Sequence, residues 1–466
     1  MSLLAYAQDP LTVTDGEGPT PTGSAVPWTR GLIATRRADP RLGANRIGAT
    51  AAPLLSRTLR PQLMEVFRLS VQARLALLVL GACTRSETYG FVAVLGNDTT
   101  SVERVTRTGH RIIGEAIGRS PTVTRRHWEA ELGPNGVIAH WSMDTDIPNG
   151  PPDGRHLHHT ATFTDTVTAF TRGTSAGTRS FAYQKRYAEA VPWNAFVYAT
   201  WELLLDAARR QPDTMRARIG QYFFEGWDEG HVGYADIERN PDGSYAISST
   251  GLAGTGTARL DAHGRLASYS GQGTTYKQEV RRITDVPDID AIAARFAADE
   301  KRTGLATSLS PRDTVRATVG AADVRVDYSR PSRRARTLVG DLIPYDQAWR
   351  TGADAATQLT TSAPIELAGV PLHPGTYTLW TLPTRGGVSL IINGQSGQWG
   401  TEYNADRDVA RRAMMVDSLP GNVERFTIRL EPAGRLVMEW GTFQWSAPIR
   451  AARRASGAEG LLLQAR

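Results

Sequence analysis

The chain has 466 residues, 41% hydrophobic and 21% charged, a composition ordinary for globular domains and too polar for a bundle of apolar membrane helices. That length suits about two or three domains, and a single cysteine excludes an internal disulfide. The net charge of +6 marks no nucleic-acid groove: residues 1–63 carry +3, 64–74 carry +1 and 450–466 carry +3, leaving −1 for 75–449.

Residues 1–63 show no helical or alternating period and are rich in Pro, Thr, Gly and Ala. They are expected to be a disordered or mis-called leader, unable to bury enough apolar surface to offset ordering entropy. Met64 then opens MEVFRLSVQARLALLVLGAC (64–83), in which Arg68 and Arg74 precede the apolar run Leu75–Ala82. A positive segment, a short apolar run and small residues make a secretory signal, far too short to span a bilayer. Leu80-Gly81-Ala82-Cys83 resembles a bacterial lipobox. The resemblance implies lipidation of Cys83, a membrane anchor, and a place in the periplasm or outer membrane.

Residues 87–283 predict successive antiparallel strands. Tyr89, Phe91, Ala93 and Leu95 alternate before a turn at Gly96-Asn97-Asp98, and further hairpin signals stand at Asn135-Gly136, Asn240–Gly243 and Asp261–Gly264. From Thr160 to Thr168 every even position is Thr, with Ala161, Phe163, Asp165, Val167 and Ala169 between, predicting one strand with a wet and a mostly apolar face. Pro192–Arg210 predicts a helix, opened by Pro192 and stopped before Pro212. Trp193, Phe196, Val197, Trp201, Leu204 and Leu205 make it apolar over so wide a face that a curved sheet must wrap it. This loosely resembles the half-barrels of bacterial envelope lipoproteins, which implies an apolar ligand if the sheet leaves a gap beside the helix. A closed sheet would make the same aromatics core.

Two motifs in this region bear on chemistry. His156 and His158 share a strand face near Asp153, yet two ligands do not make a metal site, so a solvated strand end and no metal are expected. Gly173-Thr174-Ser175-Ala176-Gly177 fits G-x-S-x-G with Ser175 as nucleophile, but the elbow needs a buried strand before it and a helix after it. An incidental turn is the simpler expectation. No phosphate or dinucleotide loop stands out, and no cofactor is expected.

An amphipathic linker helix over 288–301 is expected to pack between the domains. Beyond it, a domain over 308–450 is followed by a tail at 451–466. Its segments YSRPS (328–332), LIPYDQAWRTGADAAT (342–357), GTYTLWTLP (375–383), IIN (391–393), QWGTEY (398–403), VERFTI (423–428) and MEWG (438–441) resemble, in order, the motifs of the DUF2911 family. Two departures stand out: the family pattern has Gly where Ala335 stands and Asn where Asp354 stands. The family's activity is uncharacterised, so the resemblance implies no catalytic residue.

Trp349, Trp380, Trp399, Trp440 and Trp445 among alternating strands suggest a β-sandwich core. Tyr328, Arg330, Trp349 and Arg350 are candidates for an anion or carbohydrate site, the two arginines otherwise pairing with Glu402, Glu424 or Glu439. The chain is thus expected to be mainly β, an antiparallel curved sheet around a helix followed by a C-terminal β-sandwich. Its expected role is an exported binding or structural module for an apolar or carbohydrate ligand, without nucleic acid. The alternative is a hydrolase with its site between the β domains or at Ser175.

Overall fold

The computed structural model describes residues 86–452 apart from 120, 195, 224–231 and 305–307. The leader, the signal segment with Cys83, His231 and residues 453–466 lie outside the described residues.

The alternating segments of 86–283 build one sheet of fifteen strands. Its first half is β1 (Ser86–Leu95), β2 (Asp98–Thr108), β3 (Arg111–Arg119), β4 (Val123–Leu132), β5 (Ile138–Asp146), β6 (His156–Phe163), β7 (Val167–Thr174) and β8 (Gly177–Gln184). Its second half is β9 (Ala190–Trp193), β10 (Arg216–Phe223), β11 (Val232–Arg239), β12 (Tyr245–Ser249), β13 (Leu252–Leu260), β14 (Leu266–Ser270) and β15 (Glu279–Ile283). Hairpins carry the chain outward from β1 to the edge strand β8, a crossing leads to the opposite edge β9, and β10 to β15 return to pair with β1. Every ladder is antiparallel except β9 with β10.

Helix α1 (Ala199–Arg210) lies inside this curved sheet. Trp201, Leu204, Leu205 and Ala207 are buried in one continuous core with Phe91, Trp141 and Tyr269. Trp201 packs on Tyr269 with ring centres 4.7 Å apart. Thr168 Oγ1 meets Tyr222 Oη at 2.7 Å, so strands near the two free edges touch across the seam.

The helix is shorter than its sequence predicts. Pro192 opens no helix: it sits in β9, where an edge strand tolerates a residue without an N–H. Trp193 and Phe196 are buried in the strand and the connection that precede the helix. The helix N-terminus has no side-chain cap of its own. Instead the buried Glu103 carboxylate on β2 accepts from Tyr198 N at 2.7 Å and Ala199 N at 3.2 Å, and from Trp128 Nε1 at 3.0 Å. Glu202, also buried, accepts from Tyr89 Oη, Arg265, Arg282 and Leu266 N, pinning the helix to β1, β14 and β15.

The threonine run is two strands rather than one. β6 ends at Phe163 and β7 begins at Val167, with Thr164 bonding back to the Val167 carbonyl. A tight turn shifts the parity, so Thr168 is buried while Ala169 faces out.

Helix α2 (Ile289–Thr303) is capped by Asp288, whose carboxylate accepts from Asp290 N and Ala291 N. Ile289 and Phe296 pack on Val102, Ile117 and Val123, the outer side of β2–β4. The helix therefore seals the first sheet and does not pack between the domains.

The remaining strands form a sandwich. A six-stranded sheet runs β16 (Arg312–Val319), β17 (Ala322–Ser329), β18 (Thr357–Thr361), β21 (Gly375–Thr384), β22 (Gly387–Asn393) and β23 (Asp408–Ala413). Facing it are β20 (Val370–Leu372), β19 (Ile365–Leu367), β25 (Arg435–Ala451) and β24 (Met415–Glu431). Trp440 and Trp445 fill the core between them, with Trp349 packed against it. Trp380 lies on the other face of its sheet, and Trp399 is half-buried in the β22–β23 connection, so neither belongs to that core.

A loop-covered polar site on the sandwich

Residues 330–356 join β17 to β18 without a strand of their own, a length of connection usually kept for function. With residues 394–407 they cover the outer face of the six-stranded sheet. Trp349 and Thr381 exchange backbone hydrogen bonds of 2.8 and 2.9 Å, Gly400 N donates to Asp354 O at 2.9 Å, and Ala356 N donates to Gln398 O at 3.3 Å. Beneath lie Ala356, Trp380 and Ile391, flanked by Ala348, Leu382 and Tyr403.

Backbone strain is concentrated here. Six non-glycine residues among those described have left-handed φ, and five of them are Arg334 (53°), Ala335 (57°), Asp346 (60°), Thr351 (53°) and Asp354 (59°). A β-branched residue in that region is a genuine outlier. Thr351 is held there by full burial and by its carbonyl, which accepts from Thr357 Oγ1 at 2.7 Å. The two family departures fall on this list. Both positions have positive φ, the conformation that glycine and asparagine tolerate best.

The four residues nominated from sequence do not form one site. Tyr328 is buried and bonds Ile428 N, and it and Trp349 both pack edge-on against Phe426. Arg330 pairs with Asp313 at 3.1 Å and donates to the Phe426 carbonyl and Thr427. Arg350 points the other way, past Gly400, where a Cβ would collide with its Cδ and with the Asp354 carbonyl. The expected glutamate partners are otherwise engaged: Glu439 with Arg429, Glu424 with Arg334 N and Glu402 with Trp399 N.

Three buried polar atoms in this cover make no hydrogen bond: Arg350 Nε, Gln395 Oε1 and Gln398 Oε1. Gln398 is 6% exposed, and its amide nitrogen donates to Thr378 Oγ1 at 3.0 Å. Buried groups of this kind are nearly always satisfied by protein or ordered water, which makes these three atoms candidates for receiving a partner. Burial lowers the Arg350 pKa against the pull of Asp354. No sequence signal singled out the two glutamines, which resemble surface loop residues.

Residues 310–449 match the family model described as protein of unknown function (DUF2911). The strained connection and its cover are therefore parts of a DUF2911 domain. No curated protein matches the chain. Among solved structures, it is similar to a DUF1089 family protein from Pseudomonas aeruginosa, at 13% identity over 38% of this chain and 93% of that one, with a TM-score of 0.29. It is also similar to a beta-barrel-like protein of domain of unknown function DUF1849 from Brucella abortus, at 10% identity over 44% and 97%, with a TM-score of 0.28.

The other motifs lie elsewhere. His156 Nδ1 meets Asp146 at 2.5 Å and His158 Nδ1 meets Asp144 at 2.6 Å, all exposed on the outside of β5 and β6, while Asp153 sits in a short 3-10 turn. Among the described residues no three His, Cys, Asp or Glu side chains converge on a metal-sized point. Ser175 tips the β7–β8 hairpin, where the elbow's helix is absent, and its hydroxyl contacts the Pro152 carbonyl. Two open clefts of about 490 Å³ each lie on the first sheet, one around Arg216–Thr255 and one around Asp165–Ala188, and neither is lined by α1.

Proposed function

We propose that this is an exported, lipid-anchored binding module of the cell envelope, whose ligand is a polar solute held under the 330–356 connection of the DUF2911 domain. The observation that carries the reading is the set of buried, unpartnered atoms Arg350 Nε, Gln395 Oε1 and Gln398 Oε1 beneath a strained loop. Strain at a ligand site is sustained because the surrounding bonds over-determine it, and it pre-organises the groups that receive the ligand. Export and anchoring rest on the charged and apolar segment that ends at Cys83. Catalysis finds less support, since Ser175 has no base beside it among its described contacts.

A panel of neutral and charged sugars and other small polar solutes, read by the melting temperature of the full chain, tests the site. One member should raise it saturably, and Gln398→Met should abolish that response with little change in stability, because it removes a buried unmet acceptor. No response from any member would refute the reading. Cys83→Ser should release the protein from the membrane fraction of its host.

A further inference from the structure

We propose that His156 and His158 form half of a zinc site, which a second copy of the chain completes. The site lies on the fifteen-stranded sheet and is independent of the binding role proposed above for the DUF2911 connection.

Strands β5 and β6 bring two short motifs face to face. Asp144-Thr145-Asp146 runs antiparallel to His156-Leu157-His158, in a register that pairs Asp144 with His158 and Asp146 with His156. Thr145 and Leu157 are buried on the inner side, so the four titratable side chains share the outer face. The Nδ1 contacts of 2.5 Å to Asp146 and 2.6 Å to Asp144 make two adjacent dyads. An ionised carboxylate only accepts, so each Nδ1 carries the proton, and the neutral ring keeps its lone pair on Nε2. Neither Nε2 has a hydrogen-bond partner among the described residues. The His156 and His158 side chains are 79% and 53% exposed, which leaves both nitrogens open to an ion.

A carboxylate behind Nδ1 fixes the tautomer of a metal-binding imidazole and makes Nε2 a better ligand. Residues i and i+2 of a strand stand about 7 Å apart, so both rings can lean onto one ion about 2 Å from each Nε2. A single chain supplies no more, since no three His, Cys, Asp or Glu side chains converge among the described residues. Zinc takes four ligands in a tetrahedron, and two such pairs related by a twofold axis supply four nitrogens. The four carboxylates behind those rings offset the charge of the ion.

The neighbouring surface leaves room for the second copy. Gly173 of β7 pairs with His158, and Thr178 of β8 pairs with Gly173. In the next row stand Thr160, Thr171 and Ser180. Nothing on β7 or β8 in these two rows is larger than threonine, so a second sheet face can approach within reach of the ion.

Zinc chloride, titrated into the untagged full chain in metal-free buffer at neutral pH, should convert monomer to dimer in sedimentation velocity. One zinc should be bound per two chains, and EDTA should reverse the change. His156→Ala and His158→Ala should each raise the zinc concentration at half-conversion by at least about tenfold. Asp144→Asn should raise it by roughly tenfold, because it keeps both ligands and removes the group that orients one of them. His140→Ala, on the same face and bonded to Thr162, should change nothing. Melting temperatures without zinc check that each variant folds. The proposal is overturned if zinc leaves the chain monomeric, if zinc binds one per chain without dimerisation, or if the dimer forms equally in EDTA. Dimerisation that survives both histidine substitutions would overturn it as well.

Discussion

Gly400 leaves open the space through which the Arg350 side chain passes: a Cβ at 400 would collide with the arginine's Cδ and with the Asp354 carbonyl. The glycine is what allows the β22–β23 connection to close over a long cation. Gly400→Ala should therefore destabilise the domain by roughly 1–3 kcal/mol, as overpacking of a filled interior does. Urea unfolding measures it, and an unchanged midpoint would mean that the cover shifts freely.

Ala335 is predicted to be a residue the fold would improve by losing. Its φ of 57° is strained for alanine and free for glycine, while glycine also loosens the unfolded chain. The balance favours Ala335→Gly by about 0.5–1 kcal/mol. A rise in the denaturation midpoint is expected, and a fall would show that the loop's conformation is maintained without strain.

Glu103 should make stability depend on pH. Burial pushes its folded-state pKa up to about 8, against the donors Ala199 N, Tyr198 N and Trp128 Nε1, from an ordinary value of 4.5. A raised pKa means that the folded state holds the proton longer than the unfolded one. The group's contribution is full below pH 4.5 and is lost as pH rises through about 8. Its slope reaches up to about 1.4 kcal/mol per pH unit between those values. Glu103→Gln should flatten the decline, measured by urea unfolding from pH 5 to 8, although losing one acceptor lowers its stability throughout. An equal slope in both proteins would remove Glu103 as the cause.

Trp201 separates a filled core from a carrier. It is 4% exposed and packed at a tilt on Tyr269. Trp201→Ala should then lose about 3–5 kcal/mol. A fatty acyl probe should leave the wild-type melting temperature unmoved. A probe-dependent rise, with a small loss in the variant, would reinstate the carrier.

What the sequence disclosed depended on whether neighbours were covered on one side or two. Tyr89, Phe91 and Ala93 were legible because one face of β1 is buried there. Val102 and Val105 break that alternation, since α2 covers the outer face at Val102 while the inner core takes Val105. Glu103, between them, caps a helix from a distant strand, a role that no local pattern announces. The helix start was misplaced because Trp193 and Phe196 are as apolar as the helix they precede. At the DUF2911 site, Arg350 was nominated with Trp349, but consecutive residues point apart, and one entered the core while the other met the cover.

The pairing of β1 with β15 bears on how the molecule is made. Glu87 and Arg282, 195 positions apart, are ion-paired in the middle of the sheet. Neighbouring hairpins let β1–β8 and β10–β15 assemble as separate meanders from local contacts, but the ladder that joins them waits for the final strand. Until Ile283 has been synthesised, β1 offers a bare apolar edge to any other strand it meets. That interval is when the nascent chain is most exposed to mispairing and aggregation, and when a chaperone that masks Ser86–Leu95 would do the most good.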